Sequence, residues 1–197
     1  MPTLYDLKPR FQALLAPSVG WLASRGVTAN QVTVTAAVLS IALGACLFFV
    51  RAAFLVLSLA LLVRMALNAV DGMLARQYGQ KSALGGLLNE VGDVISDAAL
   101  YLPFAHLPGM NPALVVAAVF LGALTEFVGV CAVAIGSARR YDGPMGKSDR
   151  ALVFGALGLW VGLGNTPGLV VNLLMAVTVA LLLATCVNRA RMAVREA

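Results

Sequence analysis

The sequence predicts an all-α, polytopic membrane protein with six spanning helices, preceded by short amphipathic helices. Of its 197 residues, 60% are hydrophobic and 12% are charged, and the mean hydropathy is +0.90. Soluble domains carry about 25% charged residues, so this chain lacks the polar residues that would cover a soluble domain. We therefore treat residues 1–197 as a single integral-membrane domain, with an interfacial segment over 1–28 and a six-helix bundle over 29–191.

The first 28 residues have a helical pattern of their own. Apolar residues recur at helical spacing between Leu4 and Leu22, and basic residues lie between them. The segment is not a secretory signal, because the first continuous apolar run begins too late and is too long. Pro9 and Pro17 suit the first turn of a helix. We predict two short helices that lie in the cytoplasmic interface of the membrane.

Apolar stretches long enough to cross the bilayer follow in order, since a spanning helix needs about 20 such residues. They are Thr33–Val50 (extending back to Ala29), Ala52–Arg76, Gly85–Leu107, Ala113–Ser137, and the uncharged run Ala151–Asn188. Proline and glycine interrupt helices, which predicts a tight loop over His106–Pro112. The same rule divides the last run at Gly162–Gly168 into a short fifth and a long sixth helix.

The basic residues test this count and give an orientation. With six spans, 12 of the 14 lysines and arginines fall on the side of the N-terminus, Arg51 lies opposite and Arg64 lies inside a span. The positive-inside rule then places both termini in the cytoplasm, and we expect the inner membrane of a bacterium. The basic residues are scattered through short loops without an aromatic platform, so nucleic acid is not an expected partner.

Polar residues inside the second and third spans are the candidate functional site. An ionisable residue within a membrane costs about 2.5–3.5 kcal/mol on insertion scales and is a functional candidate by default. Asn68 and Asp71 are three residues apart, and Asn89, Asp93 and Asp97 are four apart, so each set lines one helical face. A short loop joins the two spans, which predicts that the two faces meet at the cytoplasmic surface.

Such a cradle of carboxylate and amide oxygens suits a hard cation such as Mg²⁺, because no histidine or cysteine is near. Arg76 and Lys81 lie beside it in the sequence, and a divalent cation beside basic residues suits a phosphate or diphosphate substrate. Small residues leave room for a ligand to approach the backbone: Gly72, Ala75, Gly79, Gly85 and Gly86. The alternative is that small residues and amides simply pack transmembrane helices together.

The segment from Asn68 to Asp93 resembles the signature of the CDP-alcohol phosphotransferase family, D-x2-D-G-x2-A-R-x8-G-x3-D-x3-D. The spacing agrees at every position over 26 residues, with asparagine at positions 68 and 89 where the family has aspartate. The segment Gly26–Thr33 is similar to the P-N-x-x-T element of that family. The resemblance implies transfer of a phosphatidyl-type group from a CDP-linked lipid to an alcohol, with release of CMP, by a homodimer that uses Mg²⁺ or Mn²⁺.

The resemblance also implies roles for individual residues. Asp71 corresponds to a metal ligand, and Asp93 corresponds to a metal ligand that is also the general base. Asn68 and Asn89 occupy the other ligand positions, with Asp97 as an additional oxygen donor. Arg76 is the second catalytic candidate, as a phosphate contact. The implied substrate-binding set is Asn30, Thr33, Gly72, Ala75, Arg76, Lys81, Gly85, Lys147 and Arg150.

The two asparagines reduce the formal charge of the four signature positions from −4 to −2. This predicts one metal ion, or two that bind weakly, unless Glu90 or Asp97 compensates. The substitutions also leave open a catalytically silent homologue that binds the CDP-lipid. A small transporter that uses its buried carboxylates for protons or cations is a further alternative.

Two further features have open interpretations. The loop before the fifth span carries Lys147 and Arg150, with Arg139 and Arg140 close in sequence. It resembles the place where some family members bind a phosphorylated acceptor. The alternative is that these basic residues only anchor the chain at the membrane. Arg64 lies seven residues before Asp71 on the same face. It either pairs with the buried Glu126, supports the carboxylates or contacts a phosphate.

Overall fold

The structure is a computed structural model that describes the backbone of residues 4–197 and the side chains from residue 11 onward. These residues form helices, two short 3₁₀ turns and loops, and no strand lies within the described range. The helices are α1 (Leu4–Ser24), α2 (Ala29–Phe49), α3 (Phe54–Gln77), α4 (Ala83–Tyr101), α5 (Pro112–Ala134), α6 (Lys147–Gly162) and α7 (Leu169–Glu196), with 3₁₀ turns at Arg51–Ala53 and Leu102–His106. The all-α prediction is confirmed.

The N-terminal segment is one helix, so the prediction of two short helices is wrong. Helix α1 continues through Pro9 and Pro17. A proline inside a helix lacks the amide hydrogen that the carbonyl four residues earlier would accept, and here that loss does not end the helix. Val19 is fully buried in a cluster with Val70 and Leu74 of α3. The interfacial location of α1 stays a prediction.

Side-chain caps fix where several of the helices begin. Thr28 and Gln31 form a capping box at the start of α2, with Thr28 Oγ1 accepting from the Gln31 amide at 3.2 Å. Ser82 Oγ accepts from the Gly85 amide at 2.9 Å at the start of α4. Asn111 Oδ1 accepts from the Ala113 amide at 3.0 Å at the start of α5. Such caps satisfy amide groups that have no partner within the helix.

The six helices α2 to α7 alternate in direction, as the predicted spans require. Helix α3 runs antiparallel to α6, because Ser58 Oγ donates to Gly155 O at 2.6 Å while Gly162 lies against Leu55 near the start of α3. The polar end of the bundle is the end at which α2, α4 and α6 begin and α3, α5 and α7 finish. At the opposite end, Arg51 donates to Asn165 O at 2.7 Å.

Small residues allow the helices to pack closely. A Cβ atom on Gly44 of α2 would lie 2.3 Å from the carbonyl oxygen of Ala99 in α4, and one on Gly162 of α6 would lie 2.5 Å from the Leu55 amide nitrogen. Gly155 and Gly158 also face α3. The small-residue face of α6 therefore packs within the chain, against α3.

Four helical segments are long and apolar enough to cross a membrane: Ala29–Phe49, Arg51–Gln77, Pro112–Ala134 and Leu169–Glu196. Helix α4 carries three acids, and α6 has 16 residues, about 24 Å at 1.5 Å per residue. Large apolar side chains on the outer faces of the bundle, such as Phe49 and Leu59, are exposed, as lipid contact requires. The four segments indicate an integral membrane protein, and the count of six spans stays a prediction.

We predict that Gly44→Ala lowers the stability of the protein, because the added methyl group has no room against the Ala99 carbonyl. Overpacking of this kind costs about 1–3 kcal/mol. The matched control is Gly86→Ala, since Gly86 is also helical and a Cβ atom there meets nothing within 4 Å. The measurement is the thermal unfolding midpoint in detergent. A midpoint for Gly44→Ala equal to that of Gly86→Ala would contradict the close packing of α2 on α4.

Candidate functional site

The polar end of the bundle contains a buried network of charged side chains. All of them except Arg139 lie on helices, and the network extends from this end to Arg64 and Asp97, near or beyond the middle of α3 and α4. The acids are Asp71 of α3, Glu90, Asp93 and Asp97 of α4, and Glu126 of α5; the bases are Arg64 of α3, Arg139 of the α5–α6 loop, Lys147 and Arg150 of α6, and Arg189 of α7. The network therefore joins five helices.

Asp71 is buried between α2 and α3 and is held by a hydroxyl group. Its Oδ2 atom accepts a hydrogen bond from Thr33 Oγ1 at 2.7 Å. The bond fixes the direction of the carboxylate and leaves Oδ1 for another partner. Thr33, predicted from the resemblance as a substrate contact, is thus placed against Asp71.

Asp93 is the point at which α3, α4 and α6 meet. Its Oδ1 atom accepts from Asn68 Nδ2 at 2.9 Å and from Arg64 Nη2 at 3.3 Å, and it forms an ion pair with Lys147. The predicted meeting of the two polar rows on α3 and α4 is confirmed by the contact of Asn68 with Asp93. Within the described residues, no donor reaches Asp93 Oδ2.

Asp97, one turn beyond Asp93, is surrounded differently. Its Oδ1 atom accepts from Arg64 Nη1 at 2.5 Å, and its Oδ2 atom accepts from Arg150 Nη2 at 2.9 Å and Arg150 Nε at 3.1 Å. Both oxygens of this predicted metal ligand are therefore engaged by guanidinium groups. Of the alternatives for Arg64, the structure supports the one in which it orients the carboxylates.

Glu126 is surrounded by three guanidinium groups. Its carboxylate lies 3.1 Å from Arg150 Nη2, 3.3 Å from Arg139 Nη2 and 3.5 Å from Arg189 Nη1. Its partners exclude Arg64, which is bound to Asp93 and Asp97. We call Arg139, Arg150 and Arg189 the arginine cluster.

The sequence indicated part of this cluster. Glu126 is the single acid in the apolar helix α5, which marks it as a buried charge in need of partners. Arg189 is not among the predicted site residues. It lies near the end of α7, where the positive-inside rule also places arginines that only anchor a chain at the membrane. The pairing depends on α7 packing in parallel on α5, which the sequence of either helix does not reveal.

The remaining predicted residues lie around the network. Asn89 is half-buried, one turn before Asp93 on α4. Asn30 faces Gly85, where a Cβ atom would lie 2.6 Å from Asn30 Oδ1, so a larger residue at this position would require the Asn30 side chain to move. A Cβ atom on Gly72 would lie 3.0 Å from the Arg76 guanidinium, which indicates that Arg76 folds back over this part of α3.

Ala75 is half-buried on α3, whereas Arg76 and Lys81 are exposed on either side of the α3–α4 loop. Arg140 lies apart from the arginine cluster, since it pairs with Asp142 at 2.7 Å and Glu196 at 2.5 Å. The hydrogen bonds from Arg140 hold the pKa of Asp142 below its usual value. Of the four basic residues predicted near the fifth span, Arg139, Lys147 and Arg150 therefore join the network, whereas Arg140 pairs outside it.

The donor set fits one hard divalent cation better than two. The carboxylates of Asp71 and Asp93 and the amide oxygens of Asn68 and Asn89 are all oxygen donors, which suits Mg²⁺ or Mn²⁺. Among the residues that the structure describes, no three acids, histidines or cysteines form a group able to hold a metal ion. Asn68 and Asn89 stand where the resemblance expects acids, and an amide contributes an oxygen without a charge.

Residues 26–187 match the model of the CDP-alcohol phosphatidyltransferase family. The chain belongs to this family. It is 50% identical over 191 residues to the inner membrane protein YnbA of Escherichia coli strain K12, with 96% of this chain and 95% of that protein covered. Membership in a transferase family leaves the transporter interpretation without support.

Two crystal structures of phosphatidylinositol phosphate synthase from Mycobacterium tuberculosis share the fold. The first has CDP-DAG bound; it has a TM-score of 0.75 and 18% sequence identity, with 90% of this chain and 92% of that chain covered. The second is a complex with manganese and citrate; it has a TM-score of 0.74 and 20% identity, with 90% and 87% covered. At these identities the comparison shows the fold.

Proposed function

We propose that this protein transfers a phosphatidyl-type group from a CDP-linked lipid such as CDP-diacylglycerol to an alcohol and releases CMP, as a step of phospholipid biosynthesis. The observation that carries the proposal is the contact between the two signature rows, in which Asn68 of α3 donates to Asp93 of α4 at 2.9 Å. This contact brings the oxygens of both rows to one place at the polar end. Family membership and the CDP-DAG complex of the M. tuberculosis enzyme give further support.

The reaction in this proposal is a substitution at phosphorus. The alcohol oxygen forms a bond to the lipid-side phosphorus of the diphosphate, and the bond from that phosphorus to the bridging oxygen breaks. CMP leaves with the electron pair, and the hydroxyl proton passes to Asp93 Oδ2, the oxygen that no described donor engages. A carboxylate placed to take this proton contributes about 10²- to 10⁴-fold to the rate.

A bound Mg²⁺ or Mn²⁺ would offset the charge that develops on the leaving CMP. Asp71 and Asp93 would hold it, with amide oxygens from Asn68 and Asn89. Thr33 orients Asp71, whereas Lys147 and Arg64 engage the other oxygen of Asp93. Because two of the four positions are uncharged, we assign one divalent ion to the site.

We assign the phosphates and the cytidine moiety of the substrate to residues near these carboxylates. Arg76 and Lys81 lie at the exposed edge, where they would contact the phosphates. The small residues Gly72, Ala75 and Gly85 would let the cytidine moiety approach the backbone, provided that the side chains of Arg76 and Asn30, which lie over Gly72 and Gly85, move aside. Asp97 does not enter the metal site in this proposal, because Arg64 and Arg150 engage both of its oxygens.

We expect CMP release from CDP-diacylglycerol to require Mg²⁺ or Mn²⁺ and to fall at least about 100-fold in Asp93→Asn, because the amide cannot accept the alcohol proton. The assay uses the purified protein in detergent with a panel of alcohols. The control is Asp142→Asn, which removes the same charge from a residue paired with Arg140 outside the network. Unchanged CMP release in Asp93→Asn would contradict the role of this carboxylate.

A catalytically silent protein that binds the CDP-lipid is the second candidate. Asn68 and Asn89 favour it, because they remove two of the four signature charges, and so does the ion pair that Lys147 makes with Asp93. Tight CDP-diacylglycerol binding without CMP release with any alcohol of the panel would support this candidate and overturn the first.

We place all of α2 to α7 across the membrane, with both termini and the site in the cytoplasm. Helices α4 and α6 pack along α2 and α3 and therefore occupy the same depth. Six spans also put 12 of the 14 basic residues on the polar side. The homodimer that the resemblance implies stays a prediction.

The orientation predicts that green fluorescent protein fused after Ala197 fluoresces in bacterial cells. Alkaline phosphatase inserted after Met110, in the loop at the opposite end, should be active because that loop faces the periplasm. Active phosphatase at the C-terminus, or inactive phosphatase after Met110, would contradict the six-span topology.

A further inference from the structure

The anion bound by the arginine cluster is the carboxylate of Glu126. Its carboxylate is contacted by Arg139 from the α5–α6 loop, Arg150 from α6 and Arg189 from α7, at 3.1–3.5 Å. Three guanidinium groups from three separate elements make a strong site for an anionic group. In this chain that site is occupied by a side chain of the protein.

The guanidinium groups of the cluster also have other internal partners. Arg150 donates to Asp97 and to Thr125 Oγ1, whereas Arg189 donates to Thr125 O at 2.5 Å and to Asp142 O at 3.2 Å. Both side chains are only 2% exposed. Most donors of these two arginines are therefore already engaged by the protein, and an incoming phosphate would have to displace Glu126 to reach them.

Arg139 is the most accessible member of the cluster, with 25% of its side chain exposed. It forms a second ion pair with Glu90 of α4. Glu90 therefore places a second negative charge beside the most exposed arginine of the cluster, whose Nε atom is buried without a hydrogen-bond partner among the described residues.

The charges of the network balance without a ligand. Its bases Arg64, Arg139, Lys147, Arg150 and Arg189 match in number its acids Asp71, Glu90, Asp93, Asp97 and Glu126. One divalent cation would balance the diphosphate of a CDP-lipid. A phosphorylated acceptor would add about two negative charges, and, apart from Arg76 and Lys81, which are assigned to the diphosphate, no further basic residue of the network is left to balance them.

We propose that the acceptor alcohol carries no phosphate group and that Glu126 determines this specificity by filling the arginine cluster. This inference rests on the transferase function proposed above and names its second substrate class. If it is correct, Arg150 and its neighbours do not bind a phosphorylated acceptor, which was the alternative interpretation of the loop before α6. Removal of the Glu126 charge should open the cluster to phosphate.

Binding of inorganic phosphate tests the cluster without turnover. Thermal unfolding of the full chain in detergent is followed in EDTA, with millimolar phosphate or chloride at equal ionic strength. The wild-type midpoint should not respond to phosphate, whereas Glu126→Gln should have a lower midpoint that phosphate raises by several degrees, because a ligand of the folded state stabilises it. The control Asp142→Asn removes the same charge outside the cluster and should not respond. Equal responses of wild type and Glu126→Gln would overturn the inference.

Acceptor choice is the second measurement and needs only the wild-type chain if Glu126→Gln does not fold. CMP release from CDP-diacylglycerol is compared for glycerol against glycerol phosphate and for inositol against inositol phosphate. We expect at least a tenfold preference for the unphosphorylated member of the productive pair, and a smaller preference in Glu126→Gln. CMP release confined to the phosphorylated acceptors would overturn this inference and leave the proposed function standing. An absence of CMP release with every acceptor would instead overturn the proposed function.

Discussion

The structure depends on the mutual neutralisation of charges that an apolar bundle buries at one end. Arg150 and Arg189 are almost completely buried, as are Asp97 and Glu126, and each is stable there because an opposite charge lies within 3.5 Å. Removal of one partner from a buried pair typically costs about 3–5 kcal/mol. The positions of α3 to α7 relative to one another are therefore tied to the ionic contacts, and the same contacts set which oxygens remain for substrates.

The sequence predicted the helices and the two oxygen rows because both follow from local periodicity. Apolar runs and glycine or proline breaks predict α2, α3 and α5 close to their observed bounds, whereas α4 ends at Tyr101 instead of Leu107 and α7 continues past Asn188 to Glu196. The four-residue spacing of Asn89 and Asp93 places them on one face. The single helix α1 was missed, because the cost of an internal proline is offset by packing of Val19 against α3. The sequence of α1 alone does not reveal that packing.

Ion pairing between helices could not be predicted, since it depends on which helices are neighbours. Asp97 lies on the same face as Asp93, at the spacing expected of a metal ligand. Arg64 and Arg150, however, pair with its two oxygens. Glu126 and Arg64 both lie inside spans, but they do not pair with each other. Glu126 contacts the arginine cluster, whereas Arg64 contacts Asp93 and Asp97. In the structure, Glu90, Asp97 and Glu126 pair only with arginines, Asp93 pairs with Arg64 and Lys147, and Asp71 accepts from Thr33.

We propose that α3 and α4 form an oxygen cradle for one cation and the diphosphate of a CDP-lipid. A crystal structure with CDP-diacylglycerol and manganese, with anomalous diffraction to locate the metal, tests this directly. We expect one manganese peak in contact with Asp71 and Asp93 and with the diphosphate. Two peaks of equal height, or a lipid headgroup bound away from these carboxylates, would contradict it.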